Sequence, residues 1–288
     1  MLTIFTPAYN REATLPRLYD SLLGQTSFDF EWLIIDDGST DDTGEVVKAF
    51  TGEGKFPVRY IRKENGGKHP AHNLALEEAR GELLWCVYYD DLAAPEAVAQ
   101  IIAASQGSDR NVCICSYKTD MDGNLLGGPF PDGVATSGLQ ELHEQYGCTG
   151  EFALAFFTEF ARKYPFPVFE GERFVTESVV YDRMNPEITM LLLPEVTNIC
   201  EYQAEGYSNN LNRVMKNNPA GYSLYFMQRI DLSGSLKGRI LYAGKYWCFR
   251  WVASGKAPAY TGKHRLLTGL CAPVGVVFRL YYKLCRGI

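Results

Sequence analysis

The chain has 288 residues, 46% hydrophobic and 13% aromatic, which supports one large α/β domain or a domain with an appendage and excludes a disordered chain. Its net charge of −6 conceals two opposite parts: residues 229–288 carry eleven Lys or Arg and one acid, a net +10, against 17 basic and 33 acidic residues in the preceding 228, a net −16. Eight scattered cysteines without a paired C-x-x-C spacing exclude a paired-cysteine metal site and point to reduced, cytoplasmic thiols.

In chain order, residues 2–6 read as a strand and residues 7–10 as a turn. No basic leader precedes this strand, so a signal peptide is not expected. Residues 12–24 predict a helix with Leu15, Leu18, Leu22 and Leu23 on one side, and residues 31–35 a second strand that stops on Asp36 and Asp37. A turn leads to a helix over residues 44–50, then a third strand over residues 58–62, the glycine pair Gly66 and Gly67, and a helix over residues 70–79. The fourth strand, residues 83–89, stops on Asp90 and Asp91. Residues 95–105 read as helix and 112–117 as strand, with Cys113 and Cys115 inside it. Such alternation predicts an α/β fold with a Rossmann-like, mostly parallel sheet and helices on both faces. Residues 122–171 are less regular; within them, residues 151–164 predict strand then helix, ended by Pro165 and Pro167. Residues 191–194 and 196–202 predict two antiparallel strands, and a helical, aromatic, basic tail starts at residue 206.

Open α/β sheets bind ligands beyond the carboxyl ends of their strands. Carboxylate pairs at two such ends mark a site for a cation, a sugar or a base, and for phosphate through a metal. One pair alone would read as a cap of the following loop; two reverse that balance. The first strand runs into Pro7-Ala-Tyr-Asn10, not into G-x-G-x-x-G, and there is no Walker lysine, which argues against a Rossmann dehydrogenase and a P-loop enzyme. A sugar-nucleotide pyrophosphorylase would carry a glycine-rich basic loop at the same place. Tyr9 offers a stacking surface for a base, or simply packs. Asp37 can accept from a base imide while Asp36 is structural, or either caps the next helix.

The segments Thr6-Pro-Ala-Tyr-Asn-Arg11, Ser21-Leu-Leu-Gly-Gln-Thr26, Ile34-Ile-Asp-Asp-Gly-Ser-Thr40, Glu64-Asn-Gly-Gly67 and Tyr89-Asp-Asp91 occur in order. Together, over residues 2–95, they resemble the nucleotide-binding half of family 2 glycosyltransferases, inverting enzymes of the GT-A fold. Gly171-Glu-Arg-Phe-Val-Thr-Glu177 and Ile199-Cys-Glu-Tyr202 resemble the acceptor half of bacterial polysaccharide-assembling members. The resemblance implies a GT-A domain over residues 1–205, with a nucleotide-sugar half (1–117) and an acceptor half (118–205), followed by a helical basic region (206–288). It further implies transfer from a nucleotide-sugar donor, UDP-linked in most relatives, to a glycan or polyprenyl-linked acceptor in surface polysaccharide synthesis, with no nucleic-acid partner.

By the same resemblance, Pro7, Tyr9 and Asp37 hold the nucleobase, with Ala8 and Asn10 in the same donor-binding turn. Lys68 approaches the pyrophosphate, or is a solvated surface lysine. Asp90 matches the family's metal-binding acid, with Asp91 beside it, for Mg²⁺ or Mn²⁺. Glu177 occupies the general-base position; its apolar flanks suggest partial burial, Arg173 and Arg183 are candidate partners, and Glu170 and Glu172 compete for the role. One departure stands out. Relatives read Asp-x-Asp-Asp where this chain reads Tyr88-Tyr89-Asp90-Asp91. Tyr88 can still meet a ribose hydroxyl but brings no charge, which leaves a catalytically impaired nucleotide- or glycan-binding member as the alternative.

Basic residues mixed with Trp and Tyr in the tail suit an anionic lipid headgroup layer. Residues 266–278 are apolar but shorter than the ~20 residues of a spanning helix, and Pro273 interrupts them. The expectation is a protein lying on the inner face of a membrane through residues 229–288; the alternative is a basic face docked on its own acidic body.

Overall fold

The computed structural model describes residues 1–201 and 210–286, which fall into two units. The first holds Met1–Asn65, Ala71–Pro165 and the described part of Met184–Gln203; the second holds Gly66–Pro70, Phe166–Arg183 and the described part of Ala204–Ile288. The boundary expected at residues 205/206, and Tyr202 at the end of the last expected strand, lie outside the described residues.

Among the described residues the first unit holds nine strands: β1 (Leu2–Ala8), β2 (Phe30–Asp36), β3 (Val58–Arg62), β4 (Leu83–Cys86), β5 (Asp91–Ala93), β6 (Val112–Asp120), β7 (Thr136–Ser137), β8 (Phe152–Phe157) and β9 (Thr189–Cys200). They form one sheet in the order β3-β2-β1-β4-β8-β6-β9-β5, with β7 also on β9. Helices α1 (Leu15–Leu23), α2 (Thr43–Glu53) and α3 (Lys68–Glu78, its first three residues in the second unit) link the first four strands, and α4 (Ala97–Ser105) follows β5. Short helices α5 (Leu139–Glu144) and α6 (Thr158–Ala161) lie later in the chain.

The α/β expectation holds, and the sheet divides by strand direction. From β3 to β4 every pairing is parallel. Beyond β4 the sheet is mixed: β8 is antiparallel to β4 and β6, β9 is parallel to β6, and β5 and β7 are antiparallel to β9. Every residue of β1 and β2 is buried, as in a parallel sheet covered on both faces. On one face, Tyr19 of α1 stacks on Phe50 of α2 with ring centroids 4.2 Å apart, and Trp32 of β2 lies 5.8 Å from Phe50.

Two strands differ from expectation. β4 ends at Cys86, four residues short of Asp90, because the chain turns at Tyr89 and Asp90 and Asp91 then enters β5 opposite Cys200. The two strands expected over residues 191–202 are one, β9. Pro194 lacks an N–H and reads as a break, yet the register steps from Leu193 to Val196 against Ser116 and Tyr117, so Pro194 and Glu195 are carried as a bulge.

The second unit contains α7 (Ser178–Met184, its last residue outside the unit), α8 (Leu211–Asn217), α9 (Pro219–Leu232), α10 (Leu236–Val252), α11 (Arg265–Leu270) and α12 (Ala272–Tyr281), ending in a π-helical turn, Tyr282–Arg286. Tyr222, Phe226 and Ile230 of α9 meet Tyr246 and Phe249 of α10 in its core, together with Phe174. α10 and α12 cross closely at two glycines: a Cβ on Gly275 would lie 2.5 Å from the Trp247 Cβ, and one on Gly244 would lie 2.7 Å from Val274. Among the described residues no helix is long and apolar enough to cross a membrane.

Candidate active site

Strand register brings one set of expected residues to a single edge of the first unit. Ala8 pairs with Asp36 and Phe5 with Cys86; the Asp37 N–H donates to the Ala8 carbonyl at 2.8 Å, and the Val87 N–H to that of Phe5 at 2.9 Å. Pro7 and Ala8 are buried strand residues, so their contribution to this edge is backbone. Tyr9 is exposed. Asn10 takes a left-handed backbone, φ 55°, and its Oδ1 accepts from the Thr40 N–H at 2.8 Å while its own N–H donates to Ser39 Oγ at 2.9 Å.

The adjacent aspartates differ in their surroundings. Asp36 is buried and accepts from the Ser39 N–H (2.8 Å), Ser39 Oγ (2.6 Å) and the Tyr60 hydroxyl; burial and that bond push the Tyr60 phenol well above its ordinary range. Its carboxylate closes the turn after β2. Asp37 lies at the edge with Lys63 Nζ 2.5 Å from its Oδ1. Lys63 was not expected here, although it directly precedes the Glu64-Asn-Gly-Gly67 segment.

Asp90 sits half-buried in the turn after β4. Asp91 is the residue expected to be a second metal carboxylate. As the first residue of β5 it is buried in the sheet, with Asn198 Nδ2 at 3.5 Å and with Lys118 and the Cys200 thiol beside it. Burial raises its pKa, and Lys118 opposes that shift. Asp90 is thus a turn residue and Asp91 a strand residue. Tyr88 is half-buried, its ring centroid 6.0 Å from the Lys118 ammonium. Among the described residues no three His, Cys, Asp or Glu side chains cluster as a self-contained metal cage. A single carboxylate fits a divalent ion only where phosphate oxygens and water complete the coordination, and Asp90 suits that arrangement.

The Ser21–Thr26 segment braces the chain at the end of β5 and the start of α4. Gln25 Nε2 donates to the Ala94 carbonyl at 2.8 Å and its Oε1 accepts from the Val98 N–H at 3.1 Å. Ser21 Oγ accepts from the Ala93 N–H at 3.1 Å, and the Thr26 N–H donates to the Pro95 carbonyl at 3.0 Å.

Lys68 and Glu177 fall in the second unit and form an ion pair there. Glu177 is about a quarter exposed (25%), and Lys68 is one partner it meets. The segment preceding it is clamped. Glu172 is buried, and its carboxylate accepts from the N–H groups of Ala220 (2.6 Å) and Gly221 (2.9 Å) in the first turn of α9. Asn218 Oδ1 accepts from the N–H groups of Arg173 (2.8 Å) and Phe174 (2.9 Å). Both Glu172 carboxylate oxygens are thus engaged by backbone N–H groups. Gly67 has φ +98°, and a Cβ there would fall 2.1 Å from the Arg173 carbonyl oxygen, so only glycine lets this backbone approach. Asn218 and Lys118 carried no local signal in the sequence; each acts through a partner about 27 or more positions away.

The family model described as Glycosyl transferase family 2 matches residues 3–157. A chondroitin synthase of Pasteurella multocida (strain Pm70) is 35% identical over 133 residues, which are 46% of this chain and 14% of that protein. The chain spans well under two thirds of the length of the first curated relatives it matches. Among solved structures, S. aureus TarS 1-349 in complex with UDP-GlcNAc matches with a TM-score of 0.63 at 16% identity, over 98% of this chain and 91% of that one. Mannosyltransferase PcManGT from Pyrobaculum calidifontis, in complex with GDP-Man and Mn2+, matches with a TM-score of 0.58 at 19% identity, over 97% and 80%. At these identities the structural likeness is one of fold.

Proposed function

The chain belongs to glycosyl transferase family 2, and on that premise we propose that it transfers a sugar with inversion from a nucleotide donor, a UDP-sugar, to a glycan or polyprenyl-linked acceptor in surface polysaccharide synthesis. The observation that carries this reading is the common edge at which Tyr9, Asp37 and Asp90 leave β1, β2 and the β4 turn. Tyr9 is the stacking surface for the base and Asp37 the acceptor for its imide. We assign the donor to residues 1–117 and the acceptor to residues 118–205, with residues 229–288 at the inner membrane face.

Asp90 would hold Mg²⁺ or Mn²⁺ together with the donor phosphates. When bound, that ion supplies positive charge against the departing nucleoside diphosphate. The Mn²⁺ in the PcManGT complex supports a divalent ion in this fold. Tyr88 offers its phenol to the ribose. Glu177 takes the proton from the acceptor hydroxyl as that oxygen attacks the anomeric carbon. Lys68 is the counter-charge of Glu177 and the cation for the pyrophosphate.

Release of UDP from a panel of UDP-sugars, with Mn²⁺, with Mg²⁺ and with chelator, tests the proposal. Metal-dependent release that Asp90→Asn removes is the expected result. Binding of UDP without release from any donor, with or without an added glycan or polyprenyl-phosphate acceptor, would overturn transfer in favour of a binding-only member, the reading that Tyr88 raises.

A further inference from the structure

α11, α12 and the π-helical turn run on from one another, since the Cys271 N–H still donates to Leu267 (3.0 Å) and the Gly275 N–H to Cys271 (3.2 Å) across the joint. Helical geometry therefore sorts residues 265–284 into faces. One face holds Cys271, Gly275 and Tyr282, buried, with Phe278 packed against the same core. The opposite face holds Leu266, Leu270, Val277, Leu280 and Leu284, spaced 4, 7, 3 and 4 residues apart. These side chains are 80, 71, 66, 55 and 81% exposed. An apolar stripe this continuous on a helix that already has a packed side is an interaction surface, not scatter.

A third stripe identifies what the surface meets. Arg265, Arg279 and Lys283 are all exposed and lie along the flank of the apolar face, and no acid occurs in either helix. The only acid in residues 229–288, Asp231, accepts from the Tyr260 hydroxyl at 2.6 Å and from the Lys263 N–H at 3.1 Å. Leucine and valine on one side, arginine and lysine at their flank and a net +10 behind them form the pattern of a helix lying in a lipid interface: apolar side chains enter the acyl boundary and the cations reach the phosphates. A protein partner would need an acidic rim to match; a second copy meeting it through the same face presents the same positive charge and is repelled.

We propose that α11 and α12 dock in the plane of an anionic lipid bilayer through Leu266, Leu270, Val277, Leu280 and Leu284, with Arg265, Arg279 and Lys283 on the lipid phosphates. The proposal rests on the membrane-facing reading above and names the face that makes the contact.

Co-sedimentation of the full chain with vesicles of phosphatidylglycerol and phosphatidylcholine (1:1), against vesicles of phosphatidylcholine alone, tests it. Binding to the anionic vesicles is expected, weakened at least about tenfold in Leu270→Glu/Val277→Glu/Leu284→Glu and in Arg265→Gln/Arg279→Gln/Lys283→Gln. All six positions are exposed, so both variants should keep the parent's melting temperature and UDP binding. Equal binding by the Glu variant, or no binding by the parent, would overturn the proposal. So would a parent dimer in sedimentation velocity that the Glu variant turns into a monomer without any change in vesicle binding. UDP release is measured on the parent in parallel: a parent that releases UDP but does not bind the anionic vesicles removes only the docking face, whereas a parent that binds them but releases no UDP removes only the transferase reading.

Discussion

Arg11 lies over the ring of Tyr89, its guanidinium carbon 3.8 Å from the ring centroid, and donates through NH2 to the Tyr89 hydroxyl at 2.7 Å. Its NH1 donates to the Asn10 carbonyl at 2.9 Å and its backbone N–H to Thr43 Oγ1 at 2.8 Å. One side chain thus ties the turn after β1 to the turn that carries Asp90. Cation–π contact and a charge-assisted hydrogen bond together are worth on the order of 1–2 kcal/mol at a half-buried site. Arg11→Ala should therefore raise the Kd for UDP by about 5- to 30-fold by titration calorimetry. An unchanged Kd would mean that the two turns are held elsewhere.

The Lys68–Glu177 ion pair sets opposite expectations for its two partners. Glu177→Gln should lower kcat for transfer by about 10²–10⁴ and leave UDP affinity unchanged. Lys68→Met should weaken donor binding as well as turnover. Full activity in the glutamine variant would remove Glu177 as base.

Asp90 and Asp91 should respond differently to the same isosteric change. Asp90→Asn should abolish the stimulation of UDP release by Mn²⁺ at an unchanged melting temperature. Asp91→Asn removes a buried carboxylate facing Lys118 and should lower the melting temperature while the response to Mn²⁺ persists. Equal loss of the Mn²⁺ response in both would restore Asp91 as a ligand.

Asp182 in α7 supplies a pH dependence. Burial lifts its carboxyl to about 6, with Arg229 of α9, 3.4 Å away, pulling it down. An unfolded aspartate titrates near 4. Between roughly pH 4 and pH 6 the folded chain therefore binds the proton more tightly than the unfolded chain, and stability falls as pH rises through this window. The contribution is complete below about pH 4 and gone above about pH 6. In Asp182→Asn the melting temperature should vary less between pH 4.5 and 6.5 than in the parent. Parallel curves would assign the dependence to another group.

Gly67 and Gly54 share a positive φ but differ in what surrounds them. A Cβ on Gly67 meets the Arg173 carbonyl oxygen, whereas one on Gly54 meets nothing within 4 Å. Gly54→Ala should cost about 1 kcal/mol from backbone strain alone. Gly67→Ala should cost several-fold more by urea unfolding and should lower turnover, because it displaces the residue next to Lys68. Equal costs would show that the segment yields without penalty.

The strands that position the donor edge were legible because β1 and β2, buried on both faces, read as near-continuous apolar runs. The second half was less legible for local reasons. Pro194 mimics a break inside β9, and Tyr88 and Tyr89 extend the apolar run of β4 past its last paired residue. Within the site, the sequence placed Asp37 and Asp90 at strand ends but could not distinguish Asp90 from Asp91, since the short strand that begins at Asp91 carries no pattern of its own. Lys63, Lys118 and Asn218 act through partners in other elements, and no spacing along the chain announces such contacts.

Gln25 uses both ends of its amide, one on the Ala94 carbonyl and one on the Val98 N–H, and it is buried. A carboxylate cannot donate and a methyl group can do neither, so no common replacement keeps both bonds. The backbone that leaves the Asp90 turn would then drift while the sheet stayed folded. A genetic screen for inactive variants would accordingly return Gln25 beside the acids, although its side chain is sealed inside the protein.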